Sequence, residues 1–143
     1  LGCVSYGEAF FSGGDITAAR FDAARQQASH AVSALYPSFS HAPWQETIGA
    51  SGTLIALERI VVAAGWRPSG IDRASLTALR QKLLSFHRVG DIDLAGLSAH
   101  RKAVVTAGLA ITLGIFDGLR LESMNTSTSA LREGVIHELL AHI

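Results

Sequence analysis

Glu46-Thr47-Ile48-Gly49-Ala50-Ser51-Gly52-Thr53-Leu54 sets a short strand, a glycine-bearing loop and the start of a helix in immediate succession. Glu46 to Ala50 reads as the strand. Leu54, Leu57, Val61 and Ala64 then fall on one helical stripe, and Gly65 stands where a C-terminal cap is expected. A strand running straight into a helix is the local unit of α/β layer packing. It is also an arrangement that meets oxyanions, because glycines let the backbone come close and a helix N-terminus offers N–H groups without intrahelical partners. Strand-to-helix turns carry Gly and Ser for purely steric reasons too, so both readings of this loop stand.

Outward from this unit the pattern is mostly helical. Leu1 to Phe11, apolar and aromatic, reads as a strand end leading into a turn at Ser12-Gly13-Gly14-Asp15. Thr17 is placed to cap a helix. Phe21, Ala24, Ala28, Ala31, Leu35 and Phe39 recur at helical spacing as its buried face, with Pro37 shortening the pattern. Past the loop Pro68-Ser69-Gly70, Asp72 caps a third helix bearing Leu76, Leu79, Leu83 and Phe86. Gly90 to Gly96 is a polar connector in which Asp91 and Asp93 are solvated. Ser98 is expected to cap a fourth helix that is apolar nearly all round, hence the most buried, with Gly108 and Gly114 allowing close backbone approach. Leu121 to Asn125 reads as a strand, and a last helix spans about Ala130 to Ala141. The expected fold is therefore helix-rich α/β with a small sheet.

Composition narrows the classes of function. A chain of 143 residues with 48% apolar residues makes one domain with a real core and is not disordered. The formal net charge is zero, so no overall field draws in nucleic acid, and any recognition of anions is local. Arginine outnumbers lysine 10 to 2, which suits phosphate but also follows from base composition of a genome. The longest near-apolar run, Ala103 to Phe116, falls short of the roughly 18 residues that span a bilayer. Cys3 is the sole cysteine, so no disulfide forms within the chain and a reducing, cytoplasmic setting is expected. The chain opens at Leu1 without methionine and reads as one cut inside a larger protein.

Three helix starts are suited to anions. The first is the Gly49–Thr53 loop. The second is His100-Arg101-Lys102, where cations sit unfavourably at a helix N-terminus unless an anion offsets them. The third is Ser127-Thr128-Ser129-Ala130-Leu131-Arg132-Glu133-Gly134, which brings small hydroxyls and Arg132 to the start of the last helix. Each also has a bland reading: a steric turn, a solvated basic turn and a tight helix contact at Gly134. His137 and His142 are five apart and share no helical face, so they give no metal signature.

Taken in order, Gly49-Ala50-Ser51-Gly52-Thr53-Leu54-Ile55-Ala56, Gly96-Leu97-Ser98-Ala99-His100-Arg101-Lys102, Ala107-Gly108-Leu109-Ala110-Ile111 and Ala130-Leu131-Arg132-Glu133-Gly134-Val135 resemble the Ppx/GppA family of exopolyphosphatases and guanosine pentaphosphate phosphohydrolases. Leu1-Gly2-Cys3-Val4-Ser5 resembles it too. Any one motif is weak, but the ordered set covers the whole chain.

The resemblance implies a partial actin-like (ribonuclease-H-like) domain with a small incomplete sheet. Residues 1–143 would be most of the second domain of the catalytic module, without the glycine-rich hairpin that opens it. It implies a parent hydrolase that releases terminal phosphate from inorganic polyphosphate or guanosine pentaphosphate, with this chain inactive alone. The alternative is a non-enzymatic half-domain that binds a phosphorylated ligand or a partner. Phosphate-binding residues by resemblance are Gly49, Ser51, Gly52, Thr53, Arg101 and Arg132. No catalytic base and no metal ligand is assigned here, and Mg2+ is expected for the parent only. Expected partners are the phosphorylated substrate, the missing first domain and, through an open sheet edge, a second copy. No nucleic acid and no membrane span is expected. The family pattern has Asp-Gly where this chain has Thr128-Ser129, which removes a glycine's access to positive φ at that loop.

Overall fold

One apolar helix organises the packing. In the computed structural model, which describes residues 1–39, 44–129, 135–136 and 138–140, helix α6 (Lys102–Gly118) is buried without a break from Val105 to Gly114 and again at Phe116. A helix with no polar face has nowhere to lie but the centre, as its sequence requires. Four other helices pack on it: α1 (Cys3–Phe11), α2 (Ala18–Ser33), α4 (Gly52–Ala63) and α5 (Arg73–Leu84), with a single turn, α3 (Tyr36–Phe39), between α2 and α4. Close approach runs through glycine. A Cβ at Gly114 would meet Ala28 Cβ at 2.6 Å, and one at Gly118 would meet Ser29 O and Val32 Cγ2, both at 2.6 Å. A Cβ at Gly108 would run into the Thr53 methyl of α4.

The first eleven residues are a correction. From Cys3 to Phe11 they form α1, not a strand end. Cys3, Tyr6, Phe10 and Phe11 lie at helical spacing and pack towards α6, with the Tyr6 and Phe10 rings 5.4 Å apart. A short apolar run does not declare its period, and here the neighbouring helix decides it.

Helix α2 begins where expected: Thr17 Oγ1 accepts from Arg20 N at 3.2 Å. Phe21, Ala24 and Ala28 are buried, but the face continues through Val32, not Ala31, and Leu35 and Phe39 are half exposed. The helix stops at Ser33 and the chain turns, so residues beyond Val32 leave the stripe.

Helix α4 ends as its glycine predicts. Gly65 takes φ +71, Trp66 N donates to Val61 O and Gly65 N to Val62 O, which closes a Schellman cap. Asp72 caps α5 through a reciprocal box: its carboxylate accepts from Ser75 N at 2.8 Å, and Ser75 Oγ accepts from Asp72 N at 3.1 Å. Leu76, Leu79 and Leu83 are fully buried. Phe86, placed on the same helix by spacing, lies past its end and is only partly buried.

The sheet is small and mixed. Strand β1 (Ile48–Gly49) pairs in parallel with β3 (Ser123–Thr126), Ile48 opposite Asn125. Strand β2 (Ile71–Asp72) pairs antiparallel on the other side of β3, Ile71 opposite Met124, giving the order β1-β3-β2. Both predicted strands exist but are shorter or shifted, Glu46–Ala50 contracting to two residues and Leu121–Asn125 moving to Ser123–Thr126. The two-residue β2 carries too little sequence to be read. Glu58 of α4 fastens this sheet: its carboxylate accepts from Gly70 N at 2.6 Å and from the Thr126 hydroxyl.

The connector before α6 is more structured than its polarity suggests. Val89–Asp91 forms a 3-10 turn and Ile92 is fully buried, while Asp91 and Asp93 are exposed. Ser98 does not cap α6. It precedes a second 3-10 turn, Ala99–Arg101, from which α6 starts at Lys102. Of the expected last helix, Val135, Ile136 and Glu138 to Leu140 are helical, and the rest lies outside the described residues.

Candidate functional site

The loop between β1 and α4 is built by four residues with different tasks. Gly49 is buried, and a Cβ there would collide with Leu54 and stand 2.6 Å from Met124 Sδ. Its glycine is therefore explained by core packing beneath the loop. Ser51 is the N-cap of α4: its Oγ accepts from Leu54 N at 3.1 Å and its carbonyl from Ile55 N. Thr53 turns inward. Its hydroxyl donates to Cys3 Sγ at 3.6 Å and its methyl covers Gly108, so what Thr53 can offer an outside ligand is its backbone N–H.

Gly52, like Ser51, is exposed. The Arg101 guanidinium lies over it, so close that a Cβ on Gly52 would stand 3.1 Å from Arg101 Cζ. Two residues separated by nearly fifty positions are thereby joined at the positive end of α4. The 3-10 turn sets the arginine there, with Arg101 N donating to Ser98 O at 2.9 Å. His100 is exposed beside it, its Nε2 3.5 Å from Ser98 Oγ.

These groups line a cleft of about 250 Å³ formed by Gly52, Ile55, Ala56 and Arg59 of α4 facing Gly96, Ser98, His100 and Arg101. Gly96 holds the facing loop in place. It takes φ +84, and a Cβ there would stand 2.5 Å from Arg59 O. Among the described residues no carboxylate lines this cleft, and neither Arg59 nor Arg101 is in an ion pair. Two guanidinium groups and a histidine around a concave wall suit an anion, since arginine presents paired N–H donors to phosphate or carboxylate. The same set does not fit a divalent cation. Among the described residues no group of His, Cys, Asp and Glu side chains is arranged to hold a metal ion.

Most other arginines are spent on structure. Arg25 Nε and Nη2 donate to Asp117 at 2.6 and 3.0 Å, and Arg73 Nη1 donates to the same carboxylate at 2.7 Å. Arg73 also caps the C-terminal end of α6 by donating to Phe116 O and Leu121 O. Burial pushes the Asp117 carboxyl up, but the hydrogen bonds and charges of Arg25 and Arg73 outweigh it and hold the group below the usual carboxylate range. Arg67 pairs with Asp72 and Arg80 with Asp22.

Of the six residues singled out in the sequence, Gly52 and Arg101 come together directly, with Ser51 and Thr53 next in the same loop, while Gly49 serves the core. Arg132 lies outside the described residues. The Ser127 hydroxyl is engaged locally, accepting from Ser129 N at 3.1 Å. Sequence reasoning missed Arg59. Its signal was present, since Gly52, Ile55 and Arg59 are spaced as one helical stripe, but an isolated arginine there reads as a solvated surface residue.

The profile described as the Ppx/GppA phosphatase family matches residues 1–142. The chain belongs to this family. A guanosine-5'-triphosphate,3'-diphosphate pyrophosphatase of Photobacterium profundum is 33% identical over 141 residues, which is 99% of this chain and 28% of that protein. A protein of the same name from Vibrio campbellii is 31% identical over 140 residues, again 28% of its length. The chain thus spans little more than a quarter of these relatives. Two crystal structures of an Aquifex aeolicus Ppx/GppA phosphatase superpose with TM-scores of 0.76 and 0.78 at 18% identity. They cover 96% and 99% of this chain, and 47% of each Aquifex chain. The fold is accordingly the helix-rich, actin-like α/β architecture expected for a Ppx/GppA member. Among the described residues no helix is long and apolar enough to cross a membrane.

Proposed function

We propose that this chain is one wall of the cleft in which a Ppx/GppA hydrolase releases terminal phosphate from inorganic polyphosphate or guanosine pentaphosphate. In this reading residues 1–143 are most of the second actin-like domain of the catalytic module. The observation that carries it is Arg101 lying over Gly52 at the start of α4, with no carboxylate among the described residues to neutralise it in the cleft. Phosphoryl transfer asks for positioning and for charge stabilisation on the equatorial oxygens. The first N–H groups of α4 and the Arg101 guanidinium are donors of that kind, and Ser51 fixes the turn that presents them. This reading assigns no general base to the described residues of this wall. The group that activates water, and the carboxylates that would hold Mg2+, belong on this reading to the domain facing the cleft.

Calorimetry with tripolyphosphate and guanosine pentaphosphate tests the wall. Arg101→Ala is expected to weaken binding about tenfold or more, from loss of a charge-assisted contact. Unchanged affinity in that variant would remove Arg101 from the site. Phosphate release on mixing the chain with a separately made upstream half of a relative tests the shared cleft. Binding without any release in that mixture favours the second reading, a phosphate-ligand module without turnover.

A second copy of the chain is the further partner in this proposal. Among the described residues β1 lies at one end of the strand order, and an edge strand is offered for pairing. Light scattering is expected to show a dimer whose population rises with concentration, and a monomer across the whole range would refute it. The cytoplasm is the compartment that the single thiol suggests, and cell fractionation of the whole protein checks it.

A further inference from the structure

We infer that Glu58 is a positioning residue for the anion loop: it clamps the end of β3 to α4 and so fixes the shape in which residues 50–53 meet a ligand. The inference rests on the reading of Gly52 and Arg101 as an anion site and adds to it the group that holds the loop. Ala50, Ser51 and Gly52 are exposed, so burial does not fix them. Their two flanks are tied to one scaffold instead. At the strand end, Gly49 O accepts from Ser127 N at 3.0 Å, which joins β1 to the residue just past β3. At the helix end, Glu58 reaches from α4 to the last residue of β3, its carboxylate accepting from the Thr126 hydroxyl. Its other oxygen accepts from Gly70 N at 2.6 Å, just before β2. The contacts close a ring: Gly49 to Ser127, Thr126 to Glu58, and back along α4 to Gly52.

Packing alone does not call for this arrangement. Leu57, Ile60 and Val61 are buried and already seat α4 on the core. Apolar contacts are non-directional, however, whereas a carboxylate with a donor on each oxygen fixes where the strand end stands. Glu58 is half-buried and in no ion pair among the described residues, so its charge is costly there. A helix needs no charge to rest on a sheet. The sign of its effect on binding separates position from charge. A carboxylate near an anion site repels the ligand, so removing it strengthens binding if charge is all it contributes. If Glu58 holds the loop, removing it weakens binding, because the ligand must then order the loop itself.

The test is calorimetry with tripolyphosphate together with NMR relaxation of the Gly52 and Thr53 amides. Glu58→Ala is expected to weaken binding about tenfold and to lower the order parameters of both amides. Glu58→Gln is expected to stay within about twofold, since its carbonyl accepts from Gly70 N and its amide donates to the Thr126 hydroxyl, which turns to accept. Thr126→Val keeps shape and charge but not the hydroxyl. It is expected to weaken binding about threefold and to add nothing in the Glu58→Ala background. Thr17→Ala, which removes the distant cap of α2, is expected to lower the melting temperature while leaving affinity and loop order unchanged. Equal or tighter binding in Glu58→Ala, or loop amides as ordered there as in the unaltered chain, overturns the positioning role, and so does a Gln variant as weak as the Ala one. Failure of the unaltered chain to bind, or indifference of its binding to Arg101→Ala, overturns the underlying site instead, and the relaxation of the loop still decides for or against the clamp. Circular dichroism melts set the temperature at which every variant is folded. Where Glu58→Ala does not fold, the Gln and Val variants, which keep side-chain volume, carry the test.

Discussion

Gly114→Ala is expected to destabilise the protein by about 2–3 kcal/mol, and Gly114→Val by about 4 kcal/mol or more, enough to leave little folded chain at 37 °C. Two effects oppose each other at this position. Alanine in a helix interior is favoured over glycine by about 1 kcal/mol, so on propensity alone the change stabilises α6. The added methyl, however, meets the backbone of α2: Arg25 O directly, Ser29 N at 2.9 Å, and Ala28 Cβ at 2.6 Å. None of these is the far end of a flexible side chain. Relief requires α2 to move off α6, opening the packing around Phe21, Ala24 and Leu113, all fully buried. Sterics therefore win. Gly90→Ala is the control: nothing lies within 4 Å of its Cβ position and its φ is not positive. Thermal melts of the three variants check this, and a Gly114→Val melt within a few degrees of the unaltered chain would show that α2 and α6 are not locked together as described.

How far such contacts could be read in the sequence depends on whether the cause was local. Gly114 and Gly108 stood in an otherwise apolar helix, and a glycine that lowers helix propensity signals close packing, so both were legible. The caps at Thr17, Gly65 and Asp72 were legible for the same reason: each acts on residues three or four away. What failed was decided at long range. Cys3–Phe11 is helical because α6 offers it a surface, and β2 exists because β3 passes beside Ile71. In the cleft, Gly52 and Arg101 each suggested an anion on its own, whereas their contact is a product of the fold. Arg59 and Glu58 show the limit most clearly. They are adjacent in sequence, yet one faces the cleft and the other clamps Gly70 and Thr126, a division that no neighbouring residue announces.

Asp117→Ala is expected to cost about 2–3 kcal/mol at neutral pH, a fall in melting temperature of about 6–10 °C for a domain of this size. The carboxylate is the shared acceptor of Arg25 from α2 and Arg73 at the start of α5, and its own helix end is capped by the same Arg73. Removing it leaves two guanidinium groups facing each other across a partly buried gap, and the repulsion adds to the lost hydrogen bonds. The figure stays below that for a fully buried pair because the Asp117 side chain retains 28% exposure and water screens part of the charge. The pH dependence has a definite sign. The folded carboxyl lies below the unfolded value of about 3.9. Its contribution is therefore complete above that value and is lost as pH falls through the lower folded one. Asp72 acts in the same direction: burial raises its pKa, but bonds from Ser75 and Arg67 lower it further. The gap in melting temperature between the unaltered chain and Asp117→Ala should be widest at pH 6–7 and close as pH drops below about 4, because protonation then removes in the unaltered chain what the substitution removed already. A gap that stayed constant down to pH 2 would mean that Asp117 stabilises by packing alone, and that Arg25 and Arg73 hold α2 and α5 to the end of α6 without its charge.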